Sequence, residues 1–320
     1  MVEQRNYQSG LALFAKVTVF ATFLLLIAGA MVTSTDSGLA VPDWPLSYGM
    51  LMPPMVGGIF YEHGHRMVAT AVGLLMTILA IWLWRKDPRP WMRKLGVAGF
   101  GLVVLQGVLG GVTVLFLLPV AISSLHAAVA QTFFLFTIAI AYFTSAEYHR
   151  PTGATIAAGD GPPLTRLGLA LIGAIYVQLV LGAVMRHSGA GLAIPDFPLA
   201  FGRLIPPFDR EGVAIHFAHR AWGVVVAAAT LALTAHVLRR YPNAPALRRP
   251  AAALGLMVVV QVLLGGATIW TGRHPWVASA HLATGALILA TTWLLTLRAY
   301  RWVQGAERAR SFASAAPEAT

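Results

Sequence analysis

The sequence predicts an all-α integral membrane protein: eight transmembrane helices arranged as two four-helix bundles that are parallel repeats of one another. Three observations predict this. The 320 residues are 57% hydrophobic and only 11% charged, against about 25% charged in a soluble globular chain. Eight stretches approach the roughly 20 mostly apolar residues that a helix needs to cross the hydrocarbon core. And the segment GLAVPDWPLSYG at 38–49 returns as GLAIPDFPLAFG at 191–202.

The spans are expected at 13–32, 67–84, 95–115, 122–143, 166–186, 218–238, 251–270 and 277–297. No small-residue cleavage site follows the first apolar run, so it reads as a retained helix and not a removed leader. The connections alternate in character. Arg85, Lys86, Arg89, Arg93 and Lys94 join the second span to the third, and Arg150 and Arg166 flank the middle of the chain. Arg239, Arg240, Arg248 and Arg249 join the sixth to the seventh, and Arg298, Arg301, Arg308 and Arg310 follow the eighth. Cytoplasmic loops gather Lys and Arg, so these connections and both termini are expected in the cytoplasm of a bacterial plasma (inner) membrane. A mitochondrial inner membrane, with the same loops in the matrix, is the second choice. The same rule accounts for the net charge of +11 without any nucleic-acid partner. Two long loops, 33–62 and 187–215, and two short ones, 116–121 and 271–276, lie on the outer side, which shows no positive bias. There is no cysteine, which excludes disulfides, thiolate metal sites and thiol redox chemistry. Lipid-facing and partner-facing apolar surfaces look alike, so a homo-oligomer is left open.

The repeat runs well beyond the loop motif. Pro53-Pro54 matches Pro206-Pro207, and His65-Arg66 matches His219-Arg220. Gln106 with Gly107, Gly110 and Gly111 matches Gln261 with Gly265 and Gly266, and Thr113 and His126 match Thr268 and His281. An even number of helices per repeat makes the halves parallel, 1–150 and 151–320. The Gly, Pro and Asp of the repeated loop read as turns, and Trp44 and Phe197 suit the headgroup interface.

Eight of the ten histidines fall toward the outer side: His63, His65, His126, His187, His216, His219, His274 and His281. A single histidine there reads as packing or loop. Repetition singles out His65, His126, His219 and His281, one on each even-numbered span at matched depth. Polar side chains inside a membrane mark sites, and imidazole is a strong axial ligand for heme iron. Each half is therefore expected to hold a heme between two histidines. The glycines allow close helix approach or make room for a macrocycle. Arg66 and Arg220 read either as snorkelling to the interface or as bidentate partners of heme propionates, and their repetition beside a histidine favours the propionates. Zinc is the competing metal. His216 and His219 have a helical spacing suited to it, but Glu62 stands where His216 would repeat. That difference is the main asymmetry between the halves. A carboxyl beside a heme pocket can act as general acid or base, so Glu62 assigns chemistry to the first half and leaves electron carriage to the second. As a bland alternative, Glu62 is a solvated carboxylate at a loop end.

Taken together, the PDWPL-type loop, the Glu62-His63-Gly64-His65-Arg66 segment and the four matched histidines closely resemble heme A synthase, over about residues 10–300. The resemblance implies an oxidoreductase of heme A biosynthesis that converts the C8 methyl of heme O to a formyl group for cytochrome oxidase biogenesis. The family route is two hydroxylations and then loss of water from a geminal diol. The resemblance also implies that His65 and His126 ligate the substrate heme, that His219 and His281 ligate a resident heme b cofactor, and that Glu62 is catalytic. Heme O synthase is the implied donor of substrate, and an electron acceptor is the other implied partner. Some bacterial members carry cysteine pairs in the outer loops. Val41 and Ser47 stand near those places here, which puts the chain with the cysteine-free members, like those of proteobacteria and mitochondria. Other readings remain. A diheme b-type electron conduit needs ligands near both faces, whereas all four candidates lie toward one. A non-catalytic heme carrier has no use for Glu62. A transporter would show broken helices at the midplane, and the sequence has no matched break there.

Overall fold

The computed structural model describes residues 7–150 and 163–314, with side chains described as far as residue 302. The expected boundary between halves at 150/151 borders a stretch outside the described residues, and the side chains of Arg308 and Arg310 also lie outside them. The described residues are helical apart from loops, turns and two isolated bridges, Ser47 to Met50 and Ala200 to Arg203. The helices are α1 (Ser9–Ser34), α2 (Gly57–Lys86), α3 (Pro90–Leu115), α4 (Val120–Thr144), the short α5 (Ala146–His149), α6 (Leu164–His187), α7 (Val213–Arg240), α8 (Pro245–Trp270) and α9 (Pro275–Ser314). All except α5 are long and apolar enough to cross a membrane.

The helices start before the expected spans, by most at α2, which begins at Gly57 and not 67, then at α8, which begins at Pro245 and not 251, and by five residues at α3 (Pro90) and α7 (Val213). Hydropathy marks only the lipid-facing length of a helix. The polar turns Glu62–Arg66 and His216–Arg220 continue the same helices at the outer end, facing protein. Glu62 and His65 therefore sit on a helix, as do His216 and His219. Proline opens α3, α8 and α9, where its missing N–H has no intrahelical partner to lose.

Within each half the helices close a ring. α1 packs on α2, α2 on α3, α3 on α4 and α4 on α1; α6, α7, α8 and α9 repeat that order. The rings meet where α1 and α4 pack on α9 and where α4 packs on α6. α4 and α9 are the most buried spans, at 56% and 44% of their apolar windows against 17–28% for the others. They carry His126 and His281. Phe134, Leu135 and Ile138 of α4 join Leu171, Leu233, Leu254 and Leu289 in the core of the second half. Lipid tails give helices no hydrophobic reason to associate, so packing and interhelical hydrogen bonds hold them. Among the bonds that cross the seam are Thr132 Oγ1 with Tyr176 OH at 2.9 Å, Trp293 Nε1 to the Leu135 carbonyl at 3.0 Å, and Ser34 Oγ with Ser279 Oγ at 3.0 Å. At the opposite end from the long loops, Arg298 forks onto Glu147 at 2.7 and 2.6 Å, and Arg301 donates to the Glu147 and Arg150 carbonyls. Small residues set the closest approaches: a Cβ at Gly168 of α6 would collide with Thr296 of α9.

Gly168→Val is expected to lower the thermal midpoint of the detergent-solubilised protein, at a cost of about 1–3 kcal/mol. A circular-dichroism melt checks it, and an unchanged midpoint removes this contact from the packing argument.

Candidate functional site

The site begins with the repeated loops. Asp43 accepts the N–H groups of Tyr48 at 2.7 Å and Gly49 at 2.8 Å, and Asp196 accepts those of Phe201 at 2.7 Å and Gly202 at 2.8 Å. Each carboxylate thus closes a tight turn whose last two residues have positive φ, 54° and 68° in one loop and 55° and 72° in the other. Glycine is free in that region; Tyr48 and Phe201 are held in it. The Gly49 and Tyr48 N–H groups hold Asp43 below the usual carboxylate range, and those of Gly202 and Phe201 do the same for Asp196.

Arg66 and Arg220 tie the loops to the helices. Arg66 donates to the carbonyls of Asp43 and Leu46, both at 2.8 Å, and of Val41 at 3.2 Å. Arg220 donates to those of Asp196 at 2.7 Å, Leu199 at 3.0 Å and Ile194 at 3.1 Å. Loop anchoring is a role the sequence did not disclose for these two residues.

Glu62 and His216 complete the tie. Glu62 is 3% exposed; its Oε2 accepts the Val41 N–H at 2.8 Å and its Oε1 pairs with Arg66 at 2.6 Å. This corrects the reading of Glu62 as a solvated loop-end carboxylate. His216 stands in the same place, its Nδ1 3.2 Å from the Ile194 nitrogen and its Nε2 3.0 Å from Arg220 Nε. A neutral imidazole accepts at one nitrogen only, so His216 can take one of these two bonds where the Glu62 carboxylate takes both.

The four repeated histidines come together as two pairs. His65 and His126 are within Coulombic range of each other, and so are His219 and His281. Every one of these rings lies over a glycine of a neighbouring helix. A Cβ at Gly29 would come to 3.1 Å from the His65 ring, and one at Gly110 to 3.5 Å from His126. At Gly182 it would be 2.8 Å from His219, and at Gly265 3.3 Å from His281. Gly29 and Gly182 were missed in the sequence, though their separation of 153 residues is the offset of the loop motif. The aromatic of each loop covers the next glycine along: a Cβ at Gly111 would meet Trp44 at 2.7 Å, and one at Gly266 would meet Phe197 at 2.7 Å. Trp44 and Phe197 thus pack against the bundle beside the histidine pairs as well as suiting the interface.

This donor set fits heme. Paired imidazoles from separate helices suit two axial positions, and the described residues contain no group of three or more His, Cys, Asp or Glu able to hold a bare metal ion. The Nδ1 atoms of His65 and His126 are buried without a hydrogen-bond partner, as for rings shaped to meet something other than protein. The remaining histidines divide. His63 Nδ1 pairs with Ser47 Oγ at 2.8 Å while its Nε2 is buried and unpartnered. His187 is within Coulombic range of His126, and His274 is exposed just before α9. Beside His187, Arg186 donates to the Ala30 carbonyl at 3.0 Å and to Ser34 at 2.5 Å across the seam.

Comparison with known proteins gives one consistent result. The family model COX15-CtaA, described as cytochrome oxidase assembly protein, matches residues 56–293. The chain is 34% identical over 258 residues to the heme A synthase of Symbiobacterium thermophilum, covering 78% of this chain and 83% of that one. It is 29% identical over 285 residues to the heme A synthase of Halalkalibacterium halodurans, covering 88% and 94%. With the heme A synthase of Geobacillus kaustophilus it shares 29% over 279 residues, 86% of each.

The aspartate turns make the loops sensitive to acid. Their folded carboxyls titrate below the ordinary 3.8, so their contribution is full above that value and is lost as pH falls through the lowered one. Proteolysis of 35–56 and 188–212 is expected to rise over that acid window. In Asp43→Asn and Asp196→Asn the corresponding loop should be cut readily at every pH; cleavage that still follows pH in those variants would assign the effect elsewhere.

Proposed function

The chain belongs to the COX15-CtaA family, and from that premise we infer that it is a heme A synthase. It is a membrane-bound oxidoreductase that converts the C8 methyl group of heme O to a formyl group, giving heme A for cytochrome oxidase. Its eight spans and its bacterial relatives make it a multi-pass bacterial membrane protein. The finer reading is a proposal, carried by one observation: four histidines in two pairs, each ring lying over a glycine. The first half, 1–150, takes heme O between His65 and His126. The second half, 151–320, holds a resident heme b between His219 and His281. When bound, heme b supplies a one-electron centre beside the substrate site. Both termini and the arginine-rich turns face the cytoplasm, so both hemes lie in the outer leaflet. Heme O synthase delivers the substrate, and a separate acceptor removes electrons.

Glu62 is proposed as the general acid and base of the first half. Two successive hydroxylations, each taking its oxygen from water and passing two electrons to the acceptor with release of two protons, bring the methyl carbon to a geminal diol, and loss of water from the diol gives the aldehyde. That last step needs a group to take one hydroxyl proton and to protonate the departing hydroxyl. Glu62 stands three residues before His65 on the same face of α2, in a buried ion pair that fixes its orientation. Arg66 and Arg220 hold the loops over the two sites, and propionate contact is proposed as their second role through the same outer-face position.

Purified protein is expected to show a low-spin, six-coordinate heme b spectrum. His219→Ala or His281→Ala should remove it, and retention of that spectrum in both would sink the assignment of the second half. Glu62→His gives the first half the tie seen in the second. It is expected to keep heme binding and loop protection while heme A formation falls about a hundredfold or more. Pigment extraction from cells co-expressing heme O synthase measures this. Wild-type heme A levels in that variant would take Glu62 out of the chemistry.

A further inference from the structure

Two of the glycines beneath the histidine rings are counterparts across the repeat: Gly29 on α1 against His65, and Gly182 on α6 against His219. One helical turn outward of each, on the same helix face, the halves diverge. Four residues after Gly29 stands Thr33, whose hydroxyl donates back to the Gly29 carbonyl at 3.2 Å. Four residues after Gly182 stands Arg186. The second half therefore carries a cation at the outer rim of its histidine pair, where the first half has a hydroxyl already in use.

That cation has no anion of its own. Among the described residues no carboxylate forms an ion pair with Arg186. Asp36 is within Coulombic range, but it is exposed and pairs with Arg273 at 3.7 Å. Only Nη2 of Arg186 is engaged, with the Ala30 carbonyl at 3.0 Å and Ser34 Oγ at 2.5 Å. Its Nε and Nη1, which also carry hydrogens to donate, make no hydrogen bond to the described protein. Arg220 differs: each of its nitrogens is set against a loop carbonyl or His216. An ionised side chain in a membrane helix is costly without a partner and marks a site. Two contacts place this one beside the second pair. Ser34, which takes a hydrogen bond from Arg186, also pairs with Ser279 at 3.0 Å, two residues before His281, and Arg186 is within Coulombic range of His281 itself.

We propose that Arg186 binds a propionate of the second-half heme, an ionic grip that Thr33 withholds from the first half, so that one heme stays resident and the other can leave as product. This rests on the heme assignment above. A guanidinium matches a carboxylate in both charge and geometry, and Arg186 has the unengaged donors to receive one. Its Nη2 meanwhile holds α1, so the resident heme is fastened to both halves across the seam.

The test uses full-length protein carrying His65→Ala, so that heme is read at the second pair alone. It is loaded with heme b or with heme b dimethyl ester, which has no carboxylate, and the rate of heme transfer to apomyoglobin is measured. With Arg186 in place, esterification is expected to speed release about tenfold. Arg186→Gln is expected to release heme b about tenfold faster and to show no further effect of esterification. An ester effect undiminished in Arg186→Gln would leave Arg186 to some other anion, such as a lipid phosphate, and overturn the proposal. Arg186→Lys keeps the cation, and so decides the matter even if Arg186→Gln fails to assemble. It replaces the planar fork with a single ammonium, and is expected to hold heme b while shifting the propionate-bending band in the resonance Raman spectrum; an unmoved band would also overturn the proposal. Retention of heme after His219→Ala is added would instead overturn the heme assignment itself.

Discussion

Irregular backbone laid against an apolar bundle needs hydrogen-bond donors that lipid cannot supply. Arg66 and Arg220 meet that need, each gathering three loop carbonyls onto the first turns of a membrane helix. The rest of the outer face follows from this tie. It holds the loop down, which seats Trp44 on Gly111 and Phe197 on Gly266. Those glycines adjoin the ones beneath His126 and His281, so the loops and the histidine pairs form one packed unit per half. The arginine must follow its histidine directly: adjacent positions on a helix diverge by about 100°, so one side chain can meet the loop while the other enters the bundle.

The tie also isolates the chemistry of Glu62. A carboxylate in one half and an imidazole in the other stand against the corresponding loop N–H and arginine, but the carboxylate accepts from both and a neutral imidazole from only one. The loop is held in both halves, so the position tolerates either group and the choice is available for function. A buried ion pair is a poor device for stability, since desolvation offsets most of its attraction. His216 occupies the same place beside its arginine with no carboxylate to desolvate. That Glu62 nevertheless occupies the first half is the structural argument for a chemical role.

Much of this was legible in the sequence because it was written twice. Spans, loops and the four histidines emerge from hydropathy and from matching one half to the other. Three features were not legible, each for a physical reason. The starts of α2 and α7 lie beyond the lipid-facing length that hydropathy measures. The carbonyl partners of Arg66 and Arg220 depend on the three-dimensional course of the loops, which sequence types such as Pro, Asp and Gly announce only as turns. Gly29 and Gly182 sit in apolar stretches where a glycine looks like ordinary packing, and only their positions across from histidine rings give them meaning.

The halves are repeats, but they are not separable modules. Phe134, Leu135 and Ile138 of α4 are part of the second half's core, and Arg186 reaches from α6 to α1 beside His187. The helices that build the seam, α1, α4, α6 and α9, include both that carry the later histidine of a pair, and those two are the most buried in the molecule. A displacement of His126 on α4 is thus transmitted into packing that also supports His281 on α9. In a duplicated scaffold this is the economical place to join two sites: the inner helices fix their separation. Glu62 against His216, the clearest chemical difference between the halves, lies on α2 and α7, outside the four helices that build the seam, where one group can replace the other without disturbing it.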